Sequence, residues 1–134
     1  ASVAEQRGLS QEARIVATAA HAHAPALFTT APVAAIRKVL ERAGWSVDDV
    51  DLFEVNEAFA TVAMIAMREL AIPREKLNVN GGATALGHPI GASGARIIAT
   101  LVAALKRRGV EKGVAALCIG GGEATAIAVE LIHP

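Results

Sequence analysis

Two apolar runs near the end of this chain, GVAALCI (residues 113–119) and EATAIAVELI (123–132), are separated only by Gly120, Gly121 and Gly122. So short a connection predicts two strands paired antiparallel. The first run shows no polar alternation, which marks a strand buried on both faces. A sheet buried on both faces needs cover on each side, and helices supply that cover in α/β architectures.

The preceding residues read as such an arrangement. Residues 1–12 are polar, with Gly8 and Ser10 as turn residues, and read as the remnant of an upstream helix or linker; residues 13–134 read as one domain. ARIVATAA (13–20) is β-branched between polar flanks and predicts a buried strand. Residues 21–30 form a loop carrying Pro25 and Phe28. Pro32 opens a helix, Val33, Ile36, Val39 and Leu40 repeat at helical spacing, and Gly44 closes it. DLFEV (51–55) is a short strand. Asn56 stands as the N-cap of a second helix reaching about Leu70, with the acidic Glu57 in its first turn. Residues 77–80 predict a third strand. Residues 92–108 then form an amphipathic helix whose last turn, Lys106, Arg107 and Arg108, complements its dipole. The expected order is β-α-β-α-β-α-β-β, a mixed, mostly parallel sheet with one antiparallel strand and helices on both faces.

Composition narrows the function. Thirteen basic residues balance 13 acidic ones, which argues against nucleic acid or a membrane surface as partner. No apolar stretch approaches the ~20 residues that span a bilayer, and no signal peptide is apparent. The single cysteine, Cys118, excludes an internal disulfide and fits a reducing, cytoplasmic setting.

The chemistry-bearing stretch is NVNGGATALGHPIGASGAR (78–96), where glycines surround one imidazole, His88, directly ahead of a helix N-terminus. Glycines let the main chain approach a ligand, and the helix end favours negative charge. Asn56 follows a strand and is either a simple cap or an amide facing a ligand crevice. Cys118 is either an inert core thiol or, beside the backbone N–H groups of Gly120 and its neighbours, a base or nucleophile. Near His88 and a helix N-terminus its pKa would be lowered. Gly120 N–H would be an oxyanion donor. His21 and His23 share one face of an extended segment, but without a nearby acidic or thiol ligand they read as a surface pair rather than a metal site.

VNEAFA (55–60), the 78–96 stretch and CIGGGEATA (118–126), in this order and spacing, resemble the three C-terminal signatures of the thiolase family. The resemblance covers the chain from about residue 13 onward. It implies the C-terminal domain of an acyltransferase moving acetyl or acyl groups between CoA thioesters, by Claisen condensation of acetyl-CoA or thiolysis of 3-ketoacyl-CoA. Two such halves would stack into a five-layer αβαβα body. By this likeness His88 activates the cysteine nucleophile and helps bind the thioester oxygen. Asn56 would hold a water of that oxyanion site. Cys118 would be the acid/base for the α-proton, and Gly120 N–H would serve a second oxyanion hole. Phe28 would line the acyl pocket, with Ala58, Phe59 and Gly87 also contacting substrate.

No metal or resident cofactor is implied; coenzyme A thioester is the substrate. Thr84 replaces an aliphatic residue common in the central motif, and Glu123-Ala124 stands where many members place a residue followed by glycine. The family's nucleophilic cysteine belongs to the N-terminal half, so this chain alone is expected to be inactive. Its expected partners are that half, on the same or a separate chain, and further copies in an oligomer. A thiolase-like binding or assembly module without catalysis is the alternative, and a Cys118–His88 hydrolase dyad is a third reading.

Overall fold

The structure, a computed structural model, describes residues 2–132. A short helix α1 (Ser2–Gln6) precedes strand β1 (Ala13–Ala22) and helix α2 (Ala31–Ala43). Strand β2 (Leu52–Val55), helix α3 (Ala60–Glu69), the one-turn α4 (Ala83–Leu86) and the long α5 (Ile90–Arg108) follow. Strands β3 (Lys112–Ile119) and β4 (Glu123–Leu131) follow, with 3-10 segments at Pro25–Thr30 and Arg74–Lys76.

The sheet order is β1-β4-β3-β2. β2 and β3 pair in parallel, while β4 runs antiparallel to both β3 and β1. Three strands therefore point one way and one the other, so the single antiparallel strand expected from the sequence is β4, in a sheet of four strands rather than five. Because β4 sits between β1 and β3, however, two of the three pairings are antiparallel.

The hairpin forms where the glycines predict it. Ile119 pairs with Glu123, and Gly122 N–H donates to Ile119 O at 3.0 Å. Gly122 has φ +98°, and a Cβ there would meet the backbone oxygen of His23 at 2.3 Å. Only glycine satisfies both the left-handed turn and that close approach.

Alternation along the strands builds two cores. Phe53, Val55, Val114, Ala116, Cys118, Ala124, Ala126 and Ala128 face α2 and α3, meeting Ile36, Val39, Val62 and Ala66. Leu52, Ala115 and Val129 face α5, meeting Ile97, Leu101 and Leu105. Each of these larger side chains contributes on the order of 1.5–3 kcal/mol through burial. Helices thus cover both faces, but α5 lies over β2 and β3 and leaves the outer half of its face open. Ile15 is 64% exposed there, and Thr18 and Thr125 are exposed beside Leu117 and Ile127.

Three expectations need correction. β1 is not a buried strand: only Ala19 is buried, because β1 lies at the sheet edge with its second face uncovered. Residues 77–80 do not form a strand. Leu77 makes one bridge to Phe53, and the chain then turns left-handed at Asn78, φ +46°. The second helix begins at Ala60, not after Asn56. Asn56 N–H donates to Ala116 O at 2.9 Å and so prolongs the β2–β3 ladder, while Phe59 is still extended.

Candidate active site

Two side-chain pairs meet at the carboxyl end of β2. Glu54 and Asn56 are two residues apart and share the face of Leu52, toward α5. Ser93 and Arg96 are three apart on α5 and lie on one side of that helix. Arg96 Nη2 donates to Asn56 Oδ1 at 3.2 Å, and Arg96 Nη1 lies 3.6 Å from Glu54 Oε2, an ionic contact too long for a hydrogen bond. Asn56 is 1% exposed and Glu54 2%.

His88 enters this cluster from the loop before α5. Gly87, which caps α4 at φ +87° and ψ +165°, turns the chain through a conformation that side-chain-bearing residues avoid. Pro89 then caps α5, so the helix's positive end adjoins His88. His88 Nδ1 lies 2.5 Å from Ser93 Oγ, and that hydroxyl donates to Pro89 O at 3.2 Å. Asn56 Nδ2 lies 3.4 Å from Nε2 and 3.5 Å from Nδ1 of the ring. Asn56 and His88, singled out separately in the sequence, are in contact.

A second buried amide braces the same strand end. Asn78 Oδ1 accepts from Val55 N–H, and Asn78 Nδ2 donates to Val55 O, both at 2.8 Å. Its side chain takes the place of a neighbouring strand's peptide along the outer edge of β2. Nδ2 also donates to Glu57 Oε1 at 3.0 Å, and Thr84 N–H donates to Glu57 Oε2 at 3.1 Å. Burial alone would raise Glu57, but these bonds and the charge of Arg74 outweigh it and hold the carboxyl below its usual range. Glu57 is therefore a brace between the 78–84 loop and β2, not the first-turn acid of α3.

Glu54 behaves differently. Burial pushes its carboxyl up to about 7, with Arg96 opposing and Glu57 adding to the rise.

Cys118 shares the end of the sheet with Asn56 but not its face. It belongs with Val114 and Ala116 to the core under α2 and α3. Among the described residues no hydrogen bond joins it to Asn56 or His88. Its pKa is not lowered, as the sequence suggested: burial pushes the thiol up, with only its own backbone amide opposing. On this side Phe28 and Phe59 stack edge to face, ring centroids 6.0 Å apart, and Ala58 packs on the same core. Gly120 is exposed in the hairpin turn. The expected residues thus divide into Asn56, His88 and Gly87 toward α5, and Cys118, Phe28, Ala58 and Phe59 toward α2 and α3.

His21 and His23 pack edge to face at 5.0 Å. Lys38 Nζ lies 3.2 Å from His21 Nδ1, and His23 Nε2 lies 2.8 Å from Leu27 O. Among the described residues no group of three or more His, Cys, Asp or Glu could hold a metal. Sequence reasoning missed Glu54, Asn78 and Arg96. A carboxylate inside the apolar run DLFEV was the available signal for Glu54.

A family model described as thiolase, C-terminal domain, matches residues 9–131. The acetyl-CoA acetyltransferase of Rhizobium meliloti (strain 1021) is 53% identical over 127 residues, 95% of this chain and 32% of that protein. The cytosolic acetyl-CoA acetyltransferase of Mus musculus is 50% identical over 127 residues, with the same two shares. The crystal structure of the Bacillus anthracis acetyl-CoA acetyltransferase matches with a TM-score of 0.94 at 47% identity, covering 98% of this chain and 33% of that one. The chain spans about a third of the length of the curated relatives it matches. The family match takes in all four strands and α2 through α5. This chain therefore belongs to the thiolase family and corresponds to its C-terminal domain.

Proposed function

We propose that this chain is the C-terminal catalytic part of an acyltransferase that moves acetyl or acyl groups between CoA thioesters. The observation that carries the reading is the contact of a buried amide, Asn56, with the ring of His88 at a helix N-terminus. An imidazole so placed suits activation of a thiol nucleophile, and an amide beside it suits polarisation of a thioester oxygen, directly or through water. Cys118 is the acid/base for the α-proton, and Gly120 N–H serves the second oxyanion. Phe28, Ala58, Phe59 and Gly87 bound the substrate.

The nucleophilic cysteine comes from an N-terminal half, which also covers the open part of the sheet face beside α5; full assemblies contain more than one copy. Tests use this chain alone and together with a thiolase N-terminal half that carries the nucleophile. Thiolysis of acetoacetyl-CoA is expected only from the pair. Turnover by the chain alone, or a pair indifferent to His88→Ala, overturns the reading.

One observation favours a second reading, a binding or assembly module without catalysis: the thiol of Cys118 is 6% exposed and its pKa is raised. Iodoacetamide separates the two. The catalytic reading expects Cys118 to react slowly in the isolated chain and faster than an unfolded-chain thiol once the N-terminal half supplies cationic neighbours. Slow alkylation in both settings favours the module.

A further inference from the structure

A primary amide can sit in its density of contacts either way round, and its two ends offer opposite chemistry: one accepts, the other donates. The end of Asn56 that meets His88 therefore decides what the imidazole experiences. Asn56 does not make this choice itself, since its side chain is fully buried and its long contacts with the ring, 3.4 and 3.5 Å, are weak. Arg96 makes it. A guanidinium has donors and no acceptor, so the atom 3.2 Å from Arg96 Nη2 must be the oxygen, Oδ1, and the NH2 must turn to His88. Arg96 is held in turn by the buried carboxylate of Glu54, 3.6 Å from Nη1.

The same chain of donors runs on past the ring. Ser93 Oγ donates its single hydrogen to Pro89 O, so it accepts from His88 Nδ1–H at 2.5 Å. With Nδ1 bearing the hydrogen, the lone pair of the neutral ring is on Nε2, where the Asn56 NH2 meets an acceptor. All donors point one way, from Arg96 through Asn56 and His88 to the Pro89 carbonyl. Neither Glu54 Oε1 nor Arg96 Nη1 has a hydrogen-bond partner among the described residues, and both are buried. Such a pair adds little as a stability device, because burial of two charges costs about as much as their attraction returns.

We propose that Arg96, anchored on Glu54, is a positioning residue that fixes the amide of Asn56 with its NH2 toward His88 and thereby sets the resting tautomer of the imidazole. The proposal rests on the thiolase reading only for its effect on turnover; the orientation itself is a property of this chain.

The first arm of the test is NMR on the full 134-residue chain, reading the ring nitrogens of His88 and the side-chain NH2 of Asn56. Arg96→Met is expected to shift both sets of resonances and to mix the two His88 tautomers, while amides of β4 stay in place. Because Arg96→Met leaves the buried Glu54 carboxyl without its partner, the double variant Glu54→Gln with Arg96→Met, which removes both ionisable groups of the pair, is measured beside it. Unchanged His88 and Asn56 resonances in a folded Arg96→Met or double-variant chain overturn the proposal.

The second arm is kinetic, in the complex with the N-terminal half. Arg96→Met is expected to lower kcat by roughly 10–100-fold, the scale of a misplaced reacting group, with KM little changed. Arg96→Lys, which keeps a donor and the charge, is expected to recover part of that loss. A change in KM alone, or equal losses for Lys and Met, overturns the positioning role. If His88→Ala leaves turnover intact, the thiolase reading fails instead, and the NMR arm still decides the orientation.

Discussion

Asn56 and Asn78 are buried amides at the same end of β2, 1% and 4% exposed. Asn78 spends its side chain on two peptide groups of Val55 and on Glu57, at distances of 2.8 to 3.0 Å. Asn56 has one 3.2 Å bond from Arg96 and otherwise only long contacts with an imidazole. A fully bonded buried amide is a fastener; one with long, unfilled contacts has capacity left for a ligand. The pair shows that burial of a polar residue does not by itself separate structure from function. The completeness of its bonding does.

The largest expected effect tests the fastener. Asn78→Ala leaves the N–H and C=O of Val55 without their side-chain partner, and each such buried group costs about 1–3 kcal/mol. We expect a loss of roughly 4 kcal/mol in urea unfolding of the chain. A loss under about 1 kcal/mol would mean that water replaces the amide and that the edge of β2 does not depend on it.

Asn56→Ala should show the opposite profile. Unfolding free energy should fall by about 1.5–3 kcal/mol, the worth of the one bond to a charged group, and so by less than in Asn78→Ala. Thiolysis by the complex with an N-terminal half should fall roughly 10²–10³-fold, the scale seen when one oxyanion donor is removed. Full activity in Asn56→Ala would erase the proposed distinction between the two amides.

The smallest effect concerns Glu54, the carboxyl behind Arg96 on the Asn56 side. Glu54 has its carboxyl raised from 4.5 to about 7 in the folded chain. The folded state therefore binds the proton more tightly than the unfolded one. Its stabilising contribution is complete below about pH 4.5 and is lost as pH rises through about 7, an amount up to the order of 3 kcal/mol. Glu54→Gln is expected to flatten the fall of stability between about pH 5 and pH 8, read from urea midpoints across that window. An unchanged slope would assign the pH dependence to other groups.

Much of this architecture was legible beforehand because its causes are local. Pro32 and Gly44 bracket α2, and Gly44 takes the left-handed cap, φ +69°, that its position suggested. The apolar run 113–119 and the glycines after it specified a central strand and hairpin. The helix over residues 92–108 appeared as α5, two residues longer at its start. Local pattern failed where a distant group took over a backbone bond. Ala116 O captured the N–H of Asn56 and kept that residue out of the helix, so the N-cap of α3 is Phe59, three residues later than expected. Asn78 replaced a strand with its own side chain.

Local sequence was enough to place α2, α5, β2 and the β3–β4 hairpin, and to show which residue types carry chemistry: an imidazole among glycines, an amide after a strand, one thiol. Those follow from periodicity, backbone freedom and side-chain identity, all properties of neighbours along the chain. The tertiary structure alone decided that Asn56 and His88 touch, that Cys118 faces the opposite core, and that Arg96 and Glu54 stand behind the amide. Glu54 and Arg96 are 42 positions apart (96 − 54), and only the packing of α5 on β2 brings them within 3.6 Å. The low-dielectric interior then sets how strongly such groups act on one another.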